Sequence, residues 1–590
     1  MTGIFGCISF STDVKQFEDV IITSLDKRRG KKYEVYVDSR AILGVQYGDS
    51  TSNIHFLKKN DLVVTLLSSA FRETVTIDKS VFSNEMLDLD EYSAAAYDKK
   101  SQRFLLVNDV FNIRKVYYLK KNDVLFYSSS LRHLINFLKK VSNRSFPLSI
   151  DMESLIFYLV SGSFPPGSTL FSEIQKTLPG ERLYFNSNGI TRIGRLLNVH
   201  DMHLISDERT AEDLIFNTLL NSVSKRANYD ENIAISLSGG IDSSLILALL
   251  TKIYPRENIV GVHISLDARE SQNAESIADF AGIKLIEKKL SSSEPNRLHE
   301  IVTECLHLMD EPTTRSGFVP RFVALKEIAQ VSKVAFLGEG GDELFLGYVP
   351  ELWIWDEKTY VKPIINTYLT KISLALFSRF GDLGINKLRV LPSCTYSDSI
   401  RRYALSATIL DLRTFFTIQS YIKLNVSELI LRKLDPIVRE AENLSFSKET
   451  LSSRSYLLLY MLPYSDILVD ENFSSYLNVG LKLPFFDQNV ARLAFSLSRE
   501  LKLKNGTTRY IIRQMAEHKK LIPTEIIKSR KKIGFMQPVF NHEEYEIKDK
   551  LKNLPLENHI ISLLGRVSEL PKAADSVLIL LDYFESLKLY

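Results

Sequence analysis

A chain of 590 residues, 45% of them hydrophobic, is longer than one core serves well, so two to four globular domains are expected. The 74 basic and 71 acidic residues nearly cancel to a net charge of +3, which argues against nucleic acid as the main partner and against a polyanionic substrate. Three scattered cysteines (Cys7, Cys305, Cys394) suit neither a disulfide framework nor a zinc site, no signal peptide is evident, and the most apolar stretches fall short of the ~18 to 20 residues that span a bilayer, so a cytoplasmic protein without a membrane partner is expected.

Residues 1 to about 190 read as short alternating segments such as "YEVYVD", "DLVVTLLS" and "KVYYLKKNDVLFYSS". Polar turns like Lys121-Asn122-Asp123 separate them, which predicts a β-rich α+β layered sandwich with a helix or two between strands. The stretch "NVHDMHLISDERT" (198 to 210) has no clear period and reads as a linker between a first domain, 1–200, and a second, 210–590. From Glu231 the rhythm becomes strand then helix: "ENIAISLS" before "SSLILALLTKIY", "ENIVGVHISL" before "SQNAESIADFAGI", "KLIEKKL" before "HEIVTECLHLM", and "FVALKEIAQ" before "SKVAFLGEG". This alternation predicts an α/β doubly wound parallel sheet with ligands at the carboxyl ends of its strands. From about 350 onward the pattern is mostly helical.

"SLSGGIDSS" lies between a predicted strand and a predicted helix. Gly239 and Gly240 let the backbone turn tightly and aim N–H groups inward. Ser238, Ser243 and Ser244 add hydroxyls, and the helix start adds its positive dipole end, together making an anion cradle. The loop lacks the lysine of GxxxxGK[ST], so phosphate charge must be neutralised elsewhere, and Asp242 suits Mg²⁺. At the end of a later strand, "LGEGGDELFLGY" (337 to 348) again pairs glycines with an acid, Asp342, as a second hard-oxygen ligand. A capped glycine turn and an acidic helix start are the bland alternatives.

"SLSGGIDSS" resembles the ATP pyrophosphatase loop. Together with "DEP" (310 to 312), "LGEGGDELFLGY", the segment 161 to 183, "LPFFDQNVARLAFSLSRELKL" and "SRKKIGFMQPV", it resembles the asparagine synthetase family, glutamine-dependent type. That resemblance implies an N-terminal domain like the Ntn hydrolases and a second domain of the ATP pyrophosphatase type. It implies ATP and Mg²⁺ as cofactors and adenylation chemistry: a carboxylate attacks the α-phosphate, pyrophosphate leaves, and an amine displaces AMP to form an amide. By family position Leu237, Ile264, Leu337 and Gly338 line the nucleoside, Asp242 and Asp342 bind the metal, and Lys532 contacts the phosphates and the transition state. Lys531 stands where the family usually has proline, which leaves the choice between these neighbours open.

"MTGIFG" is similar to the family's glutaminase start, where a cysteine follows Met1; here the residue is Thr2, a possible N-terminal nucleophile with its own α-amine as base. The supporting parts also differ. "RRGKK" (28 to 32) replaces the HRGPD-like carboxylate clamp, Tyr47-Gly48-Asp49 stands where an arginine is expected, and apolar "TLLSS" (65 to 69) replaces the Asn-Gly oxyanion hole. Thr2 is therefore read as a remnant, and the domain as one kept for packing against the synthetase half or for holding a partner.

Where asparagine synthetases carry a DRMSMAHSLEVR-like segment this chain has "ENFSSYLNVGLK" (471 to 482), with Gly480 in the family's Glu column and Lys482 in its Arg column. Lysine cannot reproduce a bidentate guanidinium clamp, so aspartate fits poorly. Glu471 stands near a catalytic glutamate of β-lactam synthetases, with Glu339 in its partner column. Two carboxylates sharing a pocket would raise one pKa and make a base, while an ordinary ion pair for Glu471 is the alternative. Family members that combine an intact synthetase site with a degenerate glutaminase half include lasso-peptide macrolactam synthetases and β-lactam synthetases. The expectation is therefore ring closure on a peptide or small-molecule carboxylate, with a leader peptidase and a leader-binding protein as possible partners. Asparagine formation from ammonia or glutamine is the second reading, and a non-catalytic ATP-fold binding protein the third. Residues 355 to 455, with Trp353 and Trp355 just before them or at their start, suit either a peptide groove or ordinary core packing.

Overall fold

The computed structural model describes residues 3–25, 30–47, 54–68, 91–142, 148–187, 189–194, 197, 203–227, 232–265, 268–290, 295–314, 317–347, 401, 404–405, 408–409, 412–422, 424–443, 450–529, 547, 549–551 and 556–587. Thr2, Lys531, Lys532, Gly48, Asp49, Trp353 and Trp355 lie outside the described residues, as does much of the 355 to 455 section.

The N-terminal part supplies twelve strands: β1 (Gly3–Ser9), β2 (Lys32–Val37), β3 (Ala41–Tyr47), β4 (Ile54–Lys59), β5 (Leu62–Ser68), β6 (Tyr92–Asp98), β7 (Arg103–Asn108), β8 (Tyr117–Lys121), β9 (Val124–Ser128), β10 (Gln175–Lys176), β11 (Glu181–Asn186) and β12 (Gly189–Gly194). They form two six-stranded antiparallel sheets, in the orders β10-β8-β9-β1-β3-β2 and β12-β11-β7-β6-β5-β4. Alternation decides what each face buries. Ile4, Ile8, Leu43 and Val45 from the first sheet meet Val63, Leu67, Tyr97, Phe104 and Leu106 from the second in a core between the layers. The other face of the first sheet, through Phe5, Cys7 and Ile42, packs on the helix Leu131–Ser142 and joins the cluster that runs into the second half. Burial pushes the Cys7 thiol well above its usual pKa. The β8–β9 turn is the expected polar one, with Asn122 in the left-handed region at φ 56°.

The second half is built on a five-stranded parallel sheet of β13 (Ile233–Ser236), β14 (Ile259–Ser265), β15 (Lys284–Lys289), β16 (Val334–Phe336) and β17 (Gly480–Lys482), in the order β15-β14-β13-β16-β17. The chain starts in the centre, works outward through β14 and β15, and returns on the other side with β16. The order therefore reverses between β13 and β16, and ligands bind at such a switch point. β17 is a strand in the region beyond 350 that reads as mostly helical. A three-residue strand carries no readable period, and it is set between Asn478, a left-handed helix cap at φ 56°, and Pro484.

The expected linker also differs. Asp207 caps the helix Glu208–Arg226 by accepting from the Thr210 amide at 2.8 Å, so the last residues of that stretch are already helical. Just before it, Ile205 exchanges backbone hydrogen bonds with Ser496 (2.7 Å) and Ser498 (2.8 Å), which ties the connection to the C-terminal region. Among the described residues no helix is long and apolar enough to cross a membrane.

Candidate active site

The loop after β13 turns at Gly239, whose φ of 73° favours glycine. The helix Ile241–Ile253 then starts with Asp242 in its first turn. Ser244 Oγ donates to the Gly240 carbonyl at 2.6 Å, and the Ser238 and Ser243 hydroxyls lie 3.2 Å apart, so these serines line the turn that opens the helix. The loop after β16 turns at Gly340, φ 97°, into the short helix Gly341–Phe345.

The two loops pack so closely that only glycine fits at their contacts. A Cβ on Gly338 would lie 2.7 Å from the Ser243 amide nitrogen, and one on Gly341 would lie 2.7 Å from Asp242 Cγ. Within the second loop, a Cβ on Gly347 would collide with the Asp342 carboxylate. The close approach brings the two acids together: Arg509 Nη1 binds Asp242 Oδ2 at 2.6 Å and Asp342 Oδ1 at 2.8 Å. Two carboxylates converging on one cation is the arrangement a divalent ion needs. Among the described residues no group of three or more His, Cys, Asp or Glu could hold a metal. Mg²⁺ takes one or two carboxylates plus substrate phosphate rather than an all-protein cage, so Asp242 and Asp342 would suffice to hold it.

The nucleoside-lining set divides. Leu237 and Ile264 are fully buried, and Leu237 Cδ1 fills the space above Gly261 on β14, so its side chain belongs to the sheet core. Leu337 is 7% exposed. Gly338 lies against the Ser243 amide, where the two loops meet.

Glu339 and Glu471 pair with different arginines. Glu339, a quarter exposed, binds Arg321 Nη2 at 2.8 Å. Glu471, 7% exposed, accepts from Arg114 Nη1 at 3.1 Å and from Ser475 Oγ at 3.1 Å. The ion-pair alternative describes Glu471, because the N-terminal part inserts a buried guanidinium, Arg114, where a free base would need room. The carboxyl with crowded neighbours is Asp470 instead. Burial pushes it up to about 7; Arg321 at 2.6 Å counters this, while Glu339 and Asp466 add to the rise. Arg321 thus gathers three acids, Asp466 (2.8 Å), Asp470 and Glu339, beside the loop that follows β16. Gly480 and Lys482 both sit inside β17, opposite Val334 and Phe336.

Sequence reasoning passed over Arg114, Arg321 and Arg509. The first two leave a trace: a charge inside an apolar run, "FNIRKVYY" or "FVPRFVAL", must find partners when buried, and Asp466 and Asp470 are spaced to share one helix face. Arg509 leaves none, since it stands at the left-handed turn (φ 51°) between the hairpin at 503–508 and the helix Tyr510–His518.

The "DEP" motif lies in the seam between the two parts. Asp310 Oδ1 accepts from Ser130 Oγ at 3.0 Å, and Glu311 pairs with the buried Lys176 at 2.7 Å. Arg132 donates to the carbonyls of Leu306 (2.6 Å) and Met309 (2.9 Å), and Arg226 joins Glu91 (2.9 Å) to Asp487 (3.3 Å). In the N-terminal part Thr65 to Ser68, the expected oxyanion-hole position, are buried in β5 and pair residue by residue with Ala95 to Tyr92 of β6.

Known proteins resemble this chain over much of its length. The chain is 26% identical over 462 residues to "Asparagine synthetase [glutamine-hydrolyzing] 1" of Bacillus subtilis (strain 168), covering 76% of this chain and 68% of that protein. It is 21% identical over 602 residues to "Asparagine synthetase [glutamine-hydrolyzing] 3" of the same organism, covering 92% and 88%. The solved NH3-dependent NAD synthetase from Campylobacter jejuni subsp. jejuni NCTC 11168 is 14% identical and covers 32% of this chain and 94% of its own, with a TM-score of 0.19, too slight to bear on function. The asparagine synthase family matches residues 215–562, more than half the chain and the whole of the parallel sheet, and the protein belongs to that family of ATP-dependent carbon–nitrogen ligases.

Proposed function

We propose that this ligase adenylates a carboxylate at the loops after β13 and β16, with Mg²⁺ held by Asp242 and Asp342, and joins it to an amine that arrives with the substrate. The carrying observation is that both acids meet one guanidinium nitrogen at the switch point of the sheet. The cradle of Ser238, Gly239, Gly240, Ser243 and Ser244 would take the phosphates, and Lys532, by family position, would steady the charge that develops in the reaction. In this reading Glu339 and Asp466 bear on the acceptor side. Three acids around Arg321 leave a local excess of negative charge, which suits an approaching ammonium better than the α-carboxylate of free aspartate.

The N-terminal part argues against ammonia delivered from glutamine. The β5 amides expected to polarise a substrate carbonyl are committed to the ladder with β6. The substrate class that follows is a peptide whose own amine closes a macrolactam on a side-chain carboxylate, with leader binding and leader removal supplied by separate proteins. β-Lactam formation on a small molecule is a variant of the same chemistry. A second reading, asparagine formation from ammonia or glutamine, is favoured by the names of the relatives in B. subtilis.

ATP–pyrophosphate exchange separates them. Exchange stimulated by a precursor peptide, and not by aspartate, is the expected result. Stimulation by aspartate alone establishes the second reading, and exchange with neither overturns both. Thr2→Ala should leave exchange unchanged, and the wild-type protein should release no ammonia from glutamine.

A further inference from the structure

Arg509 raises a question the ligase reading leaves open. Its Nη1 lies within 2.6 Å of one metal-binding candidate and 2.8 Å of the other, at the place where both carboxylates point. The three side chains are 10 to 15% exposed, so this contact is enclosed rather than a surface ion pair that salt would screen. The arginine is also held there at a cost. Its backbone is left-handed (φ 51°, ψ 35°), a conformation a bulky side chain seldom adopts unless the surroundings impose it. Those surroundings are specific: the Arg509 carbonyl accepts from the Arg513 amide at 3.0 Å, and Arg513 Nε donates to the Thr508 carbonyl at 3.1 Å. On the other side, the absence of a Cβ at Gly341 and Gly347 makes room for Asp242 and Asp342.

We propose that Arg509 is an internal counter-ion that keeps free divalent cations out of the Asp242–Asp342 site until nucleotide arrives. This rests on reading those two acids as the metal ligands. With Arg509 in place, its guanidinium offsets part of the charge of both carboxylates, which weakens their attraction for a bare divalent ion that must also displace it. A metal chelated by a triphosphate brings its own anionic groups, which supply ligands to the ion and a new partner for the arginine. Metal and nucleotide then bind together, and the protein does not fill its site with unproductive metal.

The test is Mn²⁺ alone, titrated by electron paramagnetic resonance into the full-length protein without nucleotide. Wild type should bind Mn²⁺ at least tenfold more weakly than Arg509→Met. Arg509→Gln is the second variant in case the first does not fold, with circular dichroism and a thermal melt confirming that the protein measured is native. The gain should vanish when Asp242→Asn and Asp342→Asn are added. Equal Mn²⁺ affinity in wild type and a folded Arg509 variant overturns the proposal. A gain that persists without the two acids overturns both the counter-ion and the ligand assignment. The counter-ion idea fails alone if the Arg509 variants match wild type while Asp242→Asn with Asp342→Asn still weakens binding of Mn²⁺ with a non-hydrolysable ATP analogue.

Discussion

The two halves of the molecule treat their family positions in opposite ways. In the parallel sheet, loops that must approach one another keep glycines at the contacts, positive φ at the turns and paired acids on one cation. In the antiparallel sandwich, the segment that should face a substrate is a continuous buried strand, Leu62 to Ser68, bonded along its length to its neighbours. A working site keeps polar groups unspent by the fold. Backbone groups that the ladder has consumed are not available to a substrate. The N-terminal part also makes contact with the second half, where Arg114, Arg132 and Lys176 reach buried partners.

The sharpest way to break this contrast is Glu471. If it is structural, Glu471→Ala removes the carboxylate that pairs with the 1%-exposed Arg114 guanidinium at 3.1 Å and should cost ~3–5 kcal/mol of stability, read as a lower melting temperature. A double change, Arg114→Met with Glu471→Leu, should recover most of that loss. A variant that melts like wild type yet loses all turnover would restore Glu471 as a base.

The next effect concerns the seam of the two loops. Gly341→Val should weaken Mg·ATP binding at least a hundredfold, about 2.7 kcal/mol, because the added carbons collide with the Asp242 carboxylate. Calorimetry on the folded variant measures it.

Asp109 probes the antiparallel half. It is fully buried and accepts from the amides of Phe111 (2.9 Å) and Ile113 (3.0 Å), yet burial still pushes it up to about 6. A carboxyl raised in the folded state favours folding below its ordinary pKa, and that contribution is lost as pH rises through the folded value. Asp109→Asn removes the dependence. Melts of wild type relative to this variant should therefore lose up to ~3 kcal/mol of advantage between pH 4 and pH 7, with the change centred between the two values.

The smallest effect is a control. Arg439→Ala removes an exposed pair with Asp435 at 2.7 Å and should change stability by less than ~0.5 kcal/mol.

Legibility in the sequence followed the range of the interaction. Both loops are legible because a strand, a glycine turn and a helix are local patterns, and β13 to β16 alternate with helices at a period the eye can count. β17 was not, because three residues between a helix cap and a proline become a strand only when β16 is already there to pair with. Glu471 and Glu339 were paired by family column, but their partners are arginines hundreds of residues or a helix away, in places no periodicity records. Arg509 was invisible for the same reason: the acids it bridges come from two separate strand ends.

The most direct test is equilibrium binding of Mg·ATP to the wild-type protein and to the Asp242→Asn, Asp342→Asn double variant, in which both side chains keep their size. The account predicts at least a hundredfold loss of affinity in a variant that melts within a few degrees of wild type. Unchanged affinity in the folded double variant would contradict it.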